Sequence, residues 1–253
     1  MNLNHRFDGP EDASVLVLSN SLGTTLAMWE PQLPAFTQRF RVLRYDGRGH
    51  GGSDVPPGPY TIDDLGRHVL GLLDRLGLER VSFCGLSLGG AVGMWLGANA
   101  PERVERLALC CTAAQFGTAE TWNERAATVR AQGVEALADA VMERWFSPAF
   151  REAQPETVAR FRAQVASTPA EGYAACCEAI RDFDFRPRLQ EIAAPTLVLA
   201  GSADPATPPE RGQEIADAIP GARLVVIDGV AHMAGVERPD AFGEALLAHL
   251  EAW

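Results

Sequence analysis

The chain is 253 residues long, 47% hydrophobic and 22% charged, a size and balance that suit a soluble globular protein with one substantial core. Asp and Glu (33) outnumber Lys and Arg (22), for a formal charge of -11. That excess argues against nucleic acid or an anionic membrane as partner, since both need basic surface. No apolar run could span a bilayer, and the polar opening from Met1 to Arg6 lacks the apolar stretch of a secretory signal, so a cytoplasmic protein is expected.

Taken in chain order, short apolar runs alternate with helix-period segments. Strands are expected at residues 14–20 and 40–45, then a helix over 61–76, in which Ile62, Leu65, Val69, Leu72, Leu73 and Leu76 form one stripe. Thr61 and Asp64 make a capping pair at its start. A strand at 80–86, a helix over 89–100 and a strand at 104–111 follow. Alternation then stops. Residues 115–191 are rich in Ala, Arg and Glu and broken by Pro and Gly, and they read as about four short helices. Strand character returns at 195–200 and 222–228, and a last helix starts at Pro239. This is the pattern of an α/β fold with a mostly parallel central sheet flanked by helices. Residues 1–114 and 192–253 form the core domain, and 115–191 an inserted helical cap over the sheet edge where ligands bind. The five cysteines show no C-x-x-C spacing and sit among apolar neighbours, so buried thiols are expected, with no metal site and no disulfide framework.

The chemistry concentrates at Gly85-Leu86-Ser87-Leu88-Gly89, a G-x-S-x-G segment between an apolar strand and a helix. Such a turn needs glycines on both sides of an exposed serine, and it leaves free N–H groups beyond it. Ser87 is therefore the candidate nucleophile. Its base and acid should follow in the order acid, then His. Of the five histidines only His232 follows the last strand in a loop that can lean over the sheet edge. Asp204, in Gly201-Ser202-Ala203-Asp204-Pro205, ends a strong strand at the same edge; Asp228, Asp182 and Asp184 are its rivals. Two backbone N–H groups should hold an oxyanion, those of Leu88 and of Leu22 in the loop Asn20-Ser21-Leu22-Gly23.

These residues resemble the α/β-hydrolase superfamily along the whole chain. Asp46-Gly47-Arg48-Gly49-His50-Gly51-Gly52-Ser53 is similar to its D-x-R-G-x-G-x-S loop. Within the superfamily the sequence resembles the 3-oxoadipate enol-lactonases of bacterial aromatic catabolism. The resemblance lies in Leu18-Ser19-Asn20-Ser21-Leu22-Gly23-Thr24, Met28-Trp29, Tyr45 to Gly51 and Phe83 to Gly90. It implies a Ser-His-Asp acyl-enzyme mechanism on an anionic lactone, the β-ketoadipate pathway as setting, and no metal or organic cofactor. A substrate of that kind carries a free carboxylate, for which Arg44, Arg48, Arg125, Arg130 and Arg144 are candidate anchors. Trp122, Trp145 and Phe116 are candidate cap walls. An esterase or lactonase for another small substrate, a C–C bond hydrolase, a cofactor-free perhydrolase and a non-catalytic receptor of the same fold are the competing readings.

Overall fold

A computed structural model of the chain describes residues 1–252. Seven strands form one sheet: β1 (His5–Asp8), β2 (Val15–Ser19), β3 (Arg41–Tyr45), β4 (Val81–Leu86), β5 (Val104–Cys110), β6 (Thr196–Gly201) and β7 (Arg223–Ile227). Their spatial order is β1-β3-β2-β4-β5-β6-β7, with β1 antiparallel to β3 and every other pairing parallel. The order reverses between β2 and β4, so a crevice opens at the carboxyl ends of those two strands, where ligands bind in open α/β sheets. β4 is buried along its whole length, as a central strand covered on both faces must be.

The helix expected over 61–76 runs from Ile62–Arg75, capped by Thr61. Thr61 Oγ1 accepts from the Asp64 N–H (3.0 Å) and Asp64 Oδ2 from the Thr61 N–H (2.9 Å), a reciprocal cap. It packs on Leu88–Asn99, the helix after β4, which is apolar on all sides and buried between sheet and neighbours. Several elements escaped the sequence reading, among them β1 and the helix Pro209–Ala218. β1 is a short edge strand whose first two residues, His5 and Arg6, are exposed. The helix Pro209–Ala218, between β6 and β7, buries only Gly212 and Ile215 and so carries no apolar stripe.

Residues 115–191 hold five α-helices: Ala119–Gln132, Ala138–Trp145, Pro148–Ala153, Pro155–Ala166 and Ala170–Arg181. Ala119–Gln132 lies against Ala170–Arg181, and Ala138–Trp145 against Pro155–Ala166. Their buried side chains, among them Val129, Val141, Phe161 and Tyr173, are continuous with those of the sheet, so one core runs through both layers. All five cysteines are buried free thiols. Among the described residues no helix is long and apolar enough to cross a membrane.

Candidate active site

Ser87 sits at the turn from β4 into the helix Leu88–Asn99, with φ 57° and ψ -111°, a conformation costly for any residue but glycine. Tight packing holds it there. The Ser87 N–H donates to Cys110 O (2.9 Å), and Ser87 O accepts from Thr112 Oγ1 (2.8 Å) and the Gly90 N–H (2.8 Å). Glycine is required on both sides. A Cβ on Gly85 would lie 2.0 Å from Gly89 O, and one on Gly89 would lie 2.3 Å from Ser19 O.

His232 and Asp204 come together from the loops after β7 and β6. Their Nδ1 and Oδ2 are 2.8 Å apart and both side chains are buried. Asp204 is further held by Thr207, whose Oγ1 donates to Oδ2 (2.7 Å) and whose N–H donates to Oδ1 (3.1 Å); the Ala206 N–H adds a bond of 2.8 Å. Burial opposes its charge, but His232 and the Thr207 bonds outweigh that and hold the carboxyl below the usual range. With Nδ1 engaged, Nε2 is the ring nitrogen left for the cavity that His232 shares with Ser87. Ser87 and His232 line the same cavity without a direct hydrogen bond between their side chains.

The cavity measures about 190 Å³. Its walls include Leu22 beside Ser87, and Phe116, Trp122, Arg125, Arg144 and Trp145 from the helical layer. In the loop after β2, the Ser21 N–H donates to Met28 Sδ (3.4 Å), the Gly23 N–H to His50 Nε2 (2.8 Å) and the Thr24 N–H to Ser21 O (3.2 Å). Leu22 alone among these keeps an N–H without a protein acceptor. Leu88, as the first residue of its helix, keeps another, while the next N–H, of Gly89, donates to Asn20 O (3.0 Å). Two uncommitted donors therefore flank the serine.

The two arginines differ in their support. The Arg125 Nη2 donates to Tyr173 OH, and its guanidinium lies 5.3 Å from the Trp122 ring. Arg144 makes no ion pair or side-chain hydrogen bond with any described residue, and burial and the Arg125 charge lower its pKa. Two cations thus face one cavity with no carboxylate between them.

The family model for the alpha/beta hydrolase fold matches residues 14–239. 3-Oxoadipate enol-lactonase 2 of Acinetobacter baylyi is 44% identical, over 97% of this chain and 92% of its own length. 3-Oxoadipate enol-lactonase 1 of the same organism is 40% identical over 95% and 90%. The crystal structure of the enol-lactonase from Burkholderia xenovorans superimposes with a TM-score of 0.97, at 48% identity over 99% of this chain and 96% of that one. The chain belongs to the α/β-hydrolase family, on its enol-lactonase branch. It is a hydrolase.

For this α/β-hydrolase, three candidate anchors fall away from the cavity. Arg44 is buried in an ion pair with Asp8 (2.7 Å), Arg48 stacks 3.9 Å over the Tyr60 ring, and Arg130 bridges Glu171 and Glu178 on the surface of the helical layer. The rival acids lie elsewhere too. Asp228 accepts from Ser202 Oγ, and Asp182 and Asp184 pair with Arg181 and Arg186. Two residues near the site were missed in the sequence. Thr207 braces Asp204 through a short side-chain turn, a local signal readable in Asp204-Pro205-Ala206-Thr207. Glu237 accepts from the Ala231 N–H (2.8 Å) and from Ser147 Oγ (2.5 Å), and the Met233 N–H donates to Trp145 O (2.9 Å). The residues on both sides of His232 are thereby clamped to the helical layer at Trp145 and Ser147, a long-range contact with no local signature.

Proposed function

We propose that this hydrolase opens the ring of 3-oxoadipate enol-lactone to 3-oxoadipate through a Ser87-His232-Asp204 relay, and that it does so in the cytoplasm. Ser87 Oγ attacks the lactone carbonyl while His232 Nε2 takes its proton, and Asp204 stabilises the imidazolium. The Leu22 and Leu88 N–H groups receive the oxyanion. Collapse breaks the ring C–O bond, and His232 returns the proton to the departing enol oxygen. The enol becomes a ketone while its carbonyl carbon is still esterified to Ser87. Water then gives its proton to His232 and its oxygen to the acyl carbon, which frees the dicarboxylate and restores Ser87. Metal and organic cofactors have no part in these steps.

The observation that carries this reading is the pair Arg125 and Arg144. An esterase for neutral substrates has no use for two cations lining its acyl cavity with no carboxylate beside them, whereas an anionic lactone supplies the missing charge. The test compares freshly generated enol-lactone with neutral aryl acetates, in the parent enzyme and in Arg144→Met. The lactone should be preferred by a wide margin in kcat/KM, and Arg144→Met should remove roughly 10- to 100-fold of that preference while sparing the aryl acetate. A parent enzyme that favours the aryl ester would refute the substrate assignment.

A further inference from the structure

The loop after β3 carries a buried histidine that takes no part in the steps above. His50 is 3% exposed, and its two ring nitrogens have partners that fix one tautomer. Nε2 lies 2.8 Å from the Gly23 N–H, a group that can only donate, so Nε2 must present its lone pair. Nδ1 lies 3.1 Å from Arg48 O, which can only accept, so Nδ1 carries the proton. The ring is neutral by construction, and burial also lowers its pKa.

Gly23 is the residue after Leu22, and its φ of +80° is open to more than one peptide orientation. The peptide before Leu22 is fixed through Ser21 O, which accepts from the Thr24 N–H and from Thr24 Oγ1 (2.7 Å). The peptide after it is fixed through the Gly23 N–H on His50. Were that peptide to turn over, the Leu22 carbonyl would confront the Nε2 lone pair. We propose that His50 is a positioning residue for the oxyanion site, its Nε2 lone pair locking the peptide that follows Leu22 as Thr24 locks the one before it, so that Leu22 is held from both sides and its N–H stays toward the reacting carbonyl. This rests on the reading of Leu22 as an oxyanion donor.

The test uses two variants and one measurement on the unaltered protein. His50→Leu keeps bulk and removes the acceptor, and His50→Gln offers an amide oxygen at a similar reach. Each is assayed on both the lactone and an aryl acetate, so the outcome does not depend on the lactone being the natural substrate. His50→Leu should lose roughly 10- to 100-fold in kcat on both substrates with KM within about twofold, and His50→Gln should recover most of it. A loss confined to KM, or equal in the two variants, would overturn the proposal. Full activity in His50→Leu alongside the stated tautomer would instead show that Leu22 is not the donor, and would overturn it by that route. Should neither variant fold, nitrogen NMR of histidine-labelled parent protein decides. His50 must carry its proton on Nδ1 at neutral pH, and a proton on Nε2 ends the proposal.

Discussion

At the scale of single residues, the site depends on groups whose work is to hold other groups. Ser87→Ala should abolish turnover, by roughly 10⁴- to 10⁶-fold, because the serine, histidine and acid act as one unit. Circular dichroism should show the fold unchanged, since the strained turn is held by Ser87 backbone bonds that alanine keeps. Thr207→Ala tests the brace behind the acid. It deletes a 2.7 Å bond to Asp204 Oδ2, the same oxygen that His232 Nδ1 contacts. Kcat should fall by roughly tenfold with KM little changed, as expected when a charge-assisted bond behind a general base is removed. A rise in KM alone would place Thr207 on the substrate instead.

At the scale of elements, the nucleophile turn is the least forgiving part of the chain. Gly89→Ala would press a methyl group into Ser19 O at 2.3 Å and Ser19 C at 2.6 Å, backbone atoms that cannot rotate away. The expected result is a melting temperature lower by several degrees or more, with activity lost in whatever protein remains folded. An active, stable Gly89→Ala enzyme would mean that the turn opens more easily than its packing allows. The elements differ in how much of themselves they show in the sequence. β4 and β6 are mostly apolar and buried along their whole length because both faces are covered, and Ile62–Arg75 declares itself by stripe and cap together. β1 and Pro209–Ala218 lie at the surface and bury too little to leave a pattern. Ser87, Asp204 and His232 stand out as candidates because each follows a recognisable strand in a known order, and the structure brings them to one end of the sheet. The arginines could not be sorted in that way. Arg44, Arg48 and Arg130 differ from Arg144 only in whether a distant residue comes to meet them, and a sequence does not display that. Glu237 was hidden for the same reason, its partner Ser147 lying 90 residues away.

At the scale of the whole molecule, burial makes three histidines harder to protonate. Burial lowers the pKa of His50 and His68, and brings that of His249 to about 4. The His249 Nε2 donates to Leu107 O at 3.0 Å and fastens the C-terminal helix Pro239–Leu250 beneath the sheet. Above about pH 6.5 this residue is neutral whether the chain is folded or not. As pH falls from about 6.5 to about 4 the unfolded chain takes up its proton and the folded chain does not, so stability declines by up to about 3 kcal/mol. Paired carboxylates such as Asp139 and Glu171, whose folded pKa values are depressed, lose their contribution only at lower pH. His249→Gln keeps a donor for Leu107 O and cannot be protonated. Its melting temperature should therefore vary less between pH 6.5 and 4 than that of the parent, and an unchanged slope would exclude His249 as the cause.

Tyr173, behind the cavity lining, touches two of the groups around it. Its hydroxyl accepts from Arg125, and its ring edge lies 3.0 Å from where a Cβ on Gly23 would be. The side chain that steadies a cation at the far wall thus also abuts the loop carrying the Leu22 N–H. Distance along the substrate becomes a measured quantity in such an arrangement. An acyl group whose anionic end stops short of Arg125 and Arg144 would leave the intervening tyrosine unloaded on one side. The tail of the substrate then works as a ruler for its head, and shortening or neutralising it should slow the bond-breaking step itself as well as weaken binding.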